Sequence, residues 1–290
     1  METSSAPLNC LACNGRQNYF FAEKNGCALW KCVACGTIFV YPLPKDTSIF
    51  YGEGYFLGGQ NGFGYVDYDK DKEVTKPSLK KIVQLAKKFA PDAKTLLDVG
   101  AATGTFVEIA NNEGWQAEGV EISDYASRVG RSRGFNIITG TLTDVPDTQM
   151  YDVVSYLDVL EHIPDPANEL GQVKKVLKPD GLLILNLPDA SSAVARILGK
   201  YWHLITPPEH VILYTPKGLT ALLARYGFKI IHKTRVGKRF TIPYILGTLY
   251  NWQKLFIWKK LEEKISGTWL TKISIPINLR DNMVIIARKS

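Results

Sequence analysis

A buried strand that leads through a glycine turn into a helix constrains the fold of this chain more than any other feature. The apolar segment 95–99 is followed by a turn that contains Gly100 and Gly104, and helical spacing of apolar residues resumes over 105–111. A turn of this kind brings its backbone close to a ligand, so it requires glycine or other small residues. The segment predicts a parallel α/β sheet with a ligand at the carboxyl end of its first strand.

The turn does not have the sequence of the two common nucleotide-binding loops. Ala102 and Thr105 stand where the fingerprint G-x-G-x-x-G needs glycine, and no G-x-x-x-x-G-K-[ST] loop occurs. A second predicted strand, 117–120, ends in Glu121, about 20 residues after the glycine turn, where an acid can accept both hydroxyls of a ribose. This position predicts a nucleoside ligand rather than a bare phosphate.

Later segments predict further strands of the same sheet. Asp144 follows a short strand at 137–138; its carboxylate can accept from an adenine amino group, or it is an ordinary solvated turn residue. The apolar segment 151–157 leads into a polar turn at the carboxyl edge, where doubly wound sheets bind ligands. Segments 229–234 and 282–287 predict the two closing antiparallel strands.

All five cysteines lie within the first 35 residues. Two C-x-x-C pairs, Cys10 with Cys13 and Cys32 with Cys35, have the spacing of two knuckles that close a tetrahedral zinc site. So short a segment buries little apolar surface, so metal binding is expected to supply much of its folding free energy. We predict a structural zinc module over residues 1–45, with redox disulfides as the alternative and Cys27 as a free thiol or core residue.

Aromatic residues and glycines alternate between this module and the next predicted helix, which spans 74–89. The connector, residues 46–73, is too irregular for a helix. It is interpreted either as a plain linker or as a flap over a pocket.

Taken together, these segments resemble the class I S-adenosylmethionine-dependent methyltransferases, specifically the small-molecule group related to ubiquinone and sugar methyltransferases. The matching segments are LLDVGAATGTF, GVEIS, GTLTDVP, YDVVSYLDVLEHIPDP, LKPDGLLILNLP and PPEHVILYTPKGLTALLARYGF. The resemblance covers about residues 74–289. It implies a Rossmann-like, seven-stranded, mostly parallel sheet with helices on both faces, and S-adenosylmethionine as the cofactor.

The resemblance also implies roles for individual residues. Glu121 would hold the ribose and Asp144 would lie beside the adenine. Ala102 stands where many relatives have glycine, and its methyl group is tolerated if the residue has a negative φ. The other implied cofactor-binding residues are Asp98, Gly100 and Gly104 at the methionine end, Leu157 and Asp158 on the methionine side, and Ala101 and Ile122.

Three residues are candidates for proton transfer during catalysis. His162 follows the fourth strand, and Glu209 and His210 are adjacent after two prolines. A histidine has the pKa of a base near neutrality, and a neighbouring acid can hold its tautomer. The alternative interpretation is that His162 fixes its turn and that the Glu-His pair serves packing or entry into a helix.

The acceptor is predicted to be a small molecule, preferably a sugar, nucleotide sugar or glycan precursor, methylated at oxygen or carbon. This preference rests on similarity to zinc-containing sugar C-methyltransferases, which share the cysteine module, the tyrosine-rich connector and the Glu-His pair. Lipid-linked, RNA or protein acceptors and a non-catalytic binding subunit are the alternatives. A net charge of +7, spread along the chain except for an excess near the C-terminus, gives little support for nucleic acid as a partner.

Residues 237–280 form an insertion before the last strand, too long for a hairpin. It is interpreted as a lid over the acceptor, a dimer contact, or an amphipathic surface that touches a membrane through 240–262. No apolar run reaches the roughly 18 residues of a membrane span, and the N-terminus lacks the pattern of a secretory signal, so a cytoplasmic location is expected. The methyltransferase domain is assigned to residues 74–290.

Overall fold

The computed structural model describes residues 9–44, 47–57, 68–146 and 148–290. The strands are β1 (Asn18–Lys24), β2 (Cys27–Cys32), β3 (Ile38–Val40), β4 (Thr95–Val99), β5 (Gln116–Glu121), β6 (Ile137–Thr139), β7 (Tyr151–Leu157), β8 (Leu177–Pro188), β9 (Ile212–Leu213), β10 (Phe228–Thr234), β11 (Lys238–Thr241), β12 (Ser274–Ile277) and β13 (Asn282–Lys289). The helices are α1 (Glu53–Phe56), α2 (Tyr68–Phe89), α3 (Thr105–Asn112), α4 (Asp124–Ser132), α5 (Pro166–Val176), α6 (Ala193–Leu198), α7 (Pro216–Arg225), α8 (Ile242–Gln253) and α9 (Phe256–Ile265).

The main sheet has seven strands in the order β10-β13-β8-β7-β4-β5-β6. Neighbouring strands from β8 to β6 pair in parallel, whereas β13 is antiparallel to both β8 and β10. The predicted Rossmann-like, mostly parallel sheet is therefore confirmed.

Helices cover both faces of this sheet, which explains why its central strands are apolar on both sides. In β8, Leu183 and Leu185 join a core with α5 and α7, whereas Leu182 and Ile184 join a core with α2 and α3. Successive side chains of a strand point to opposite faces, so a strand between two helical layers must be apolar throughout.

The cysteine segment is not a separate unit in the structure. Strands β1, β2 and β3 belong to a four-stranded antiparallel sheet. Its fourth strand is β9, which lies more than 170 residues later in the chain. Thr215 donates a hydrogen bond to the carbonyl of Cys35 at 2.6 Å, and Arg225 donates one to the carbonyl of Ala12 at 3.1 Å. Long-range pairing of this kind leaves no signal in local sequence.

Helix α2 begins at Tyr68, earlier than the predicted start at residue 74. Asp69 in its first turn accepts hydrogen bonds from Thr103, in the glycine turn, and from Arg133. These tertiary contacts hold a polar helical turn that has no apolar periodicity of its own.

The insertion contains a two-stranded ribbon, β11–β12, and the chain between these two strands forms α8 and α9, with α8 packed against α9 and β11. The two helices fall within the segment 240–262 and just beyond it. Among the described residues, no helix is long and apolar enough to span a membrane.

Candidate functional site

A cavity of about 280 Å³ opens at the carboxyl ends of β4, β5 and β7. Its wall combines the glycine turn, the end of β5 and the turn after β7 with residues from the connector and from α2. The residues that line it include Tyr51, Tyr55, Tyr68, Lys72, Gly100, Ala102, Glu121, Ile122, Leu157, Asp158 and His162.

The glycine turn is shaped by close packing as well as by backbone conformation. Gly100 has φ +73°, and a Cβ built there would lie 2.5 Å from a methyl group of Val159. Gly104 has φ +87° and is the N-cap of α3. Ala102 also has a positive φ, +48°, so the condition under which its methyl group was expected to be tolerated is not met. The structure therefore places an alanine where the backbone favours glycine.

Glu121 has its carboxylate fixed before any ligand arrives. One oxygen accepts a hydrogen bond from the backbone N–H of Ala102, and the other from that of Ser123, both at 2.8 Å. Burial raises the pKa of Glu121, while these N–H groups oppose the rise. Each carboxylate oxygen keeps further acceptor capacity toward the cavity, which suits a vicinal diol.

Asp98 lies beneath the cavity and does not contribute to its wall. Its carboxylate accepts a hydrogen bond from Ser155 at 2.7 Å and is nearly fully buried. Burial, with a smaller contribution from the charge of Glu121, raises the pKa of Asp98 to about 7. The side chain of Asp98 therefore supports the glycine turn from below and does not face the cavity.

Asp158 is the most strongly paired acid of the cavity wall. It has φ +60° and accepts hydrogen bonds from Lys238 at 2.6 Å and from Asn186 at 2.8 Å. Burial raises the pKa of Asp158, but the charges of Lys238 and Lys72 outweigh this effect and lower it overall. The turn after β7 thus presents a carboxylate together with two lysines.

Asp144 is not part of the cavity wall. Its carboxylate accepts hydrogen bonds from the backbone and the hydroxyl of Thr141, and so caps its own turn, where it is exposed. Gly140, Thr141 and Leu142 line the cavity in its place. Ala101 and Gly104 also lie outside the wall, whereas Ile122 and Leu157 lie within it.

The first part of the connector lies against the cavity. Tyr51, Tyr55 and Phe56 line it, and the short helix α1 holds Tyr55 and Phe56 in edge-to-face contact. Tyr55 donates a hydrogen bond to the carboxylate of Glu209 at 3.0 Å. Residues 58–67 of the connector lie outside the described residues.

The three catalytic candidates meet at one end of the cavity, but not in the predicted arrangement. His162 lines the cavity, and its Nδ1 lies 3.0 Å from the backbone oxygen of Glu209. The rings of His162 and His210 are 4.7 Å apart. Burial, assisted by the neighbouring His210, lowers the pKa of His162 to about 3.

Glu209 does not hold the tautomer of His210, as their adjacency in sequence suggested. The carboxylate of Glu209 is bonded to Tyr55, and Nδ1 of His210 lies 2.6 Å from the backbone oxygen of Leu204. Consecutive side chains leave the backbone in different directions, so neighbours in sequence need not be partners in space.

Glu161 is a further acid at this end. It is fully buried, and its Oε2 accepts no hydrogen bond from the part of the chain that the structure describes. Burial, together with the charge of Asp158, raises its pKa well above the usual range. The ligand atoms of Glu161, His162 and His210 lie within 4.8 Å of one another, a spacing at which a cation could be held.

The four predicted zinc ligands converge. The sulfur atoms of Cys10, Cys13, Cys32 and Cys35 all lie within 4.8 Å of one another, with Cys10–Cys35 at 3.7 Å and Cys13–Cys32 at 3.6 Å. A tetrahedron with Zn–S bonds of about 2.3 Å has S–S edges of about 3.8 Å, whereas a disulfide needs about 2.05 Å. The donor set therefore fits zinc and not disulfides, and Cys27 stands apart from it.

Strand β9 connects this cluster to the catalytic candidates. It begins two residues after His210 and pairs with β3 of the cysteine segment. Val211 donates its N–H to the backbone oxygen of Glu161 and accepts a hydrogen bond from Val40. The cysteine segment and the turn after β7 thus hold the Glu-His pair from two sides.

Sequence reasoning missed several residues of the site, Lys72 and Asp69 among them. Lys72 lines the cavity, and Asp69 binds the glycine turn; both lie in the charged run at 69–73, which resembles an ordinary solvated helix surface. No local signal distinguishes such a run from one that packs on a ligand site.

Comparison with known proteins identifies the family. The profile of the methyltransferase domain family matches residues 71–233, more than half of the chain. Ubiquinone biosynthesis O-methyltransferases are 31% identical over 135 residues in Yersinia enterocolitica and 33% identical over 135 residues in Idiomarina loihiensis. Each alignment covers 43% of this chain and 52% of the relative, so the chain spans about half the length of these curated relatives.

Solved structures show the same fold at low sequence identity. The YcgJ protein of Bacillus subtilis superimposes with a TM-score of 0.51 and 17% identity, covering 73% of this chain and 98% of that one. A putative sarcosine dimethylglycine methyltransferase of Galdieria sulphuraria gives 0.51 and 13%, covering 76% and 88%. The chain therefore belongs to the methyltransferase domain family, with the fold of the class I S-adenosylmethionine-dependent methyltransferases.

Proposed function

We propose that this protein transfers a methyl group from S-adenosylmethionine to a hydroxyl oxygen of a small-molecule acceptor. The observation that carries the proposal is Glu121, whose carboxylate is held by two backbone N–H groups in the wall of the cavity at the carboxyl edge of the sheet. In a chain of this family, that geometry supports recognition of the ribose of the cofactor.

Other residues of the cavity wall support a position for the adenine end and for the methionine end of the cofactor. Ile122 and Leu142 offer apolar contacts for the adenine, and Gly100 leaves room for the backbone to approach the methionine portion. Lys72 and Asp158 supply opposite charges for the carboxylate and the ammonium of that portion. Asp144 has no contact that supports its predicted role at the adenine.

Methylation of a hydroxyl releases one proton, which a group of the site must accept. We assign this role to His162, because it lines the cavity and because its Nδ1 donates to the carbonyl of Glu209, which leaves Nε2 as an acceptor. Burial keeps the His162 ring neutral before the reaction, and the neighbouring carboxylate of Asp158 favours the protonated ring that would form when it accepts the proton. His210 and Glu209 then act as positioning residues, the latter through Tyr55.

An oxygen acceptor agrees with the names of the curated relatives, which are O-methyltransferases of ubiquinone biosynthesis. The predicted sugar acceptor rests on the resemblance to sugar-modifying enzymes. Tyr51 and Tyr55 can stack on either a phenol ring or a sugar face. An acceptor screen should therefore contain phenols and nucleotide sugars side by side.

We further propose that Cys10, Cys13, Cys32 and Cys35 bind zinc in a structural role. Four thiolates leave no open coordination position, so this zinc would not contact the acceptor. Its function would be to hold β3, and through it β9 and the Glu-His pair.

Calorimetric titration with S-adenosylmethionine and S-adenosylhomocysteine tests the assignment. Glu121→Gln removes the negative charge and half of the acceptor capacity, so we expect the affinity to fall by about tenfold or more. Asp124→Asn is the matched control, since its exposed carboxylate lies three residues away and outside the cavity wall. Failure of the folded wild type to bind either compound would refute the proposed function.

A further inference from the structure

The insertion concentrates the positive charge of the protein. Residues 237–280 contain eight lysines and arginines against two glutamates, a net charge of +6, whereas the whole chain has +7. The rest of the chain therefore has a net charge of only +1. A charge confined to one element acts locally on a partner rather than as a general property of the molecule.

Helix α9 exposes apolar and basic residues on one face. Phe256, Ile257 and Leu261 are 63%, 61% and 43% exposed. At 100° per residue, Lys260 and Lys264 fall between them on the same arc. A helix that faces only water would not present this many large apolar side chains together.

The opposite side of α9 is the one that packs on the protein. Trp258, Glu262 and Ile265 are half-buried and share that side of the helix. One of the two acids of the insertion thus faces inward. The outward arc keeps Lys260 and Lys264 beside the apolar side chains, and the other acid, the exposed Glu263, falls at its edge about one turn from Lys260.

This surface continues onto the main domain. Leu255, between the two helices, is 52% exposed, and Nε1 of Trp252 donates to the backbone oxygen of Tyr201 at 2.7 Å. Beside that contact, Tyr201 and Ile197 are 64% and 82% exposed, with Arg196 and Lys200 also exposed. The insertion and the end of α6 thus form one apolar and basic surface, which we call the basic-apolar face.

We infer that the basic-apolar face docks the protein on an anionic lipid bilayer. Apolar side chains of this kind insert at the level of the headgroups while lysines contact acidic lipids, and the two contributions add. A second copy of the chain is a poorer occupant, because it would bring two surfaces of the same charge together. The lysine stems can also lie along the apolar surface while their ammonium groups reach the headgroups.

The basic-apolar face lies next to pockets that lead toward the proposed site of methyl transfer. An apolar cavity of about 330 Å³ lies under the insertion, and Leu249 and Trp252 line it. Lys238, Phe240 and Tyr244 line both this cavity and a smaller pocket that contains Lys72 and Asp158. Those last two residues also line the cofactor cavity. A series of adjoining pockets thus connects the docking face with the proposed site of methyl transfer.

Vesicle co-sedimentation of the full chain tests the inference without reference to activity. With about 30 mol% phosphatidylglycerol in phosphatidylcholine and about 0.1 M salt, we expect partitioning about tenfold or more above that on phosphatidylcholine alone. Phe256→Ser with Ile257→Ser should lower the partitioning on anionic vesicles by about tenfold. Lys260→Gln with Lys264→Gln should lower it and weaken its dependence on salt.

The matched control is Phe20→Ser with Val33→Ser, two residues of the cysteine segment that are 54% and 59% exposed. Because all of these side chains are exposed, the variants should keep the melting temperature and the affinity for S-adenosylhomocysteine of the wild type. Equal partitioning of the Phe256/Ile257 variant and the wild type would overturn the inference. So would a dimer, seen in analytical ultracentrifugation, that this variant dissociates, because the face would then belong to a second copy.

Discussion

Gly104 and Gly114 have almost the same backbone conformation, with φ +87° and +88°, but different surroundings. A Cβ at Gly104 would lie 2.5 Å from the ring of Phe135, whereas a Cβ at Gly114 would meet nothing within 4 Å. Alanine substitutions at these two glycines therefore separate two contributions to the loss of stability: the left-handed backbone conformation and the close packing in the glycine turn.

We expect Gly114→Ala to lower the free energy of unfolding by about 1 kcal/mol, which is the backbone cost alone. Gly104→Ala should lower it by a further amount of about 1–3 kcal/mol, because Phe135 must move. Urea unfolding followed by circular dichroism measures both. Equal losses would show that the packing around the turn adjusts without cost.

Asp98 makes stability depend on pH. Its pKa is about 7 in the folded protein, above the ordinary value of 3.8, so the folded state favours the protonated form. The stabilisation is complete below about pH 4 and is lost as the pH rises through 7. Asp98→Asn keeps an oxygen for the hydroxyl of Ser155 and cannot ionise.

We therefore expect the Asp98→Asn variant to gain stability relative to the wild type as the pH rises from 4 to 8. The measurement is the difference in urea midpoint between the two proteins at several pH values. A difference that is the same at every pH would show that Asp98 has an ordinary pKa.

The elements around the Glu-His pair lead to a prediction about the four-cysteine cluster. Strand β9 begins two residues after His210 and pairs with β3, so loss of the proposed zinc should displace Glu209 and His210 more than Glu121. We expect Cys35→Ser to lower kcat by about tenfold or more, while the Kd for S-adenosylhomocysteine changes by less than about threefold.

Cys27→Ser is the control, because Cys27 lies outside the four-sulfur cluster. It should keep the zinc content, measured by elemental analysis, and the activity. Equal losses of cofactor affinity and kcat in Cys35→Ser would indicate general unfolding instead of a displaced pair.

Considered as a whole, the molecule joins its four-stranded and seven-stranded sheets through a shared core. Cys10, Cys35 and Phe39 belong to the same apolar cluster as Leu183 and Leu185 of the central sheet. A segment packed in this way is not expected to unfold by itself.

We expect a single cooperative transition in urea. In protein substituted with cobalt, thiolate–cobalt absorption reports on the cysteine cluster, and far-ultraviolet circular dichroism reports mainly on the main domain. The two curves should have the same midpoint. An earlier loss of the cobalt signal would mean that the cysteine segment is an independent unit, as its sequence suggested.

The sequence alone determined the type of the main sheet and the edge of the sheet at which its cavity lies. Strands, glycine turn, Glu121 and the cysteine pairs are local patterns, and their spacing follows from the geometry of turns and of metal ligands. Lys72 and Asp69 were not predicted as site residues, because a charged helical turn has the same composition whether it faces solvent or a ligand.

Only the tertiary structure decided which side chains meet. Glu209 is adjacent to His210 in the chain but is bonded to Tyr55, and Asp144 caps its own turn instead of entering the cavity. It also decided that β9 completes the sheet of the cysteine segment. The physical reason is common to all three: contacts between distant segments depend on how elements pack, and a single sequence records the elements but not their packing.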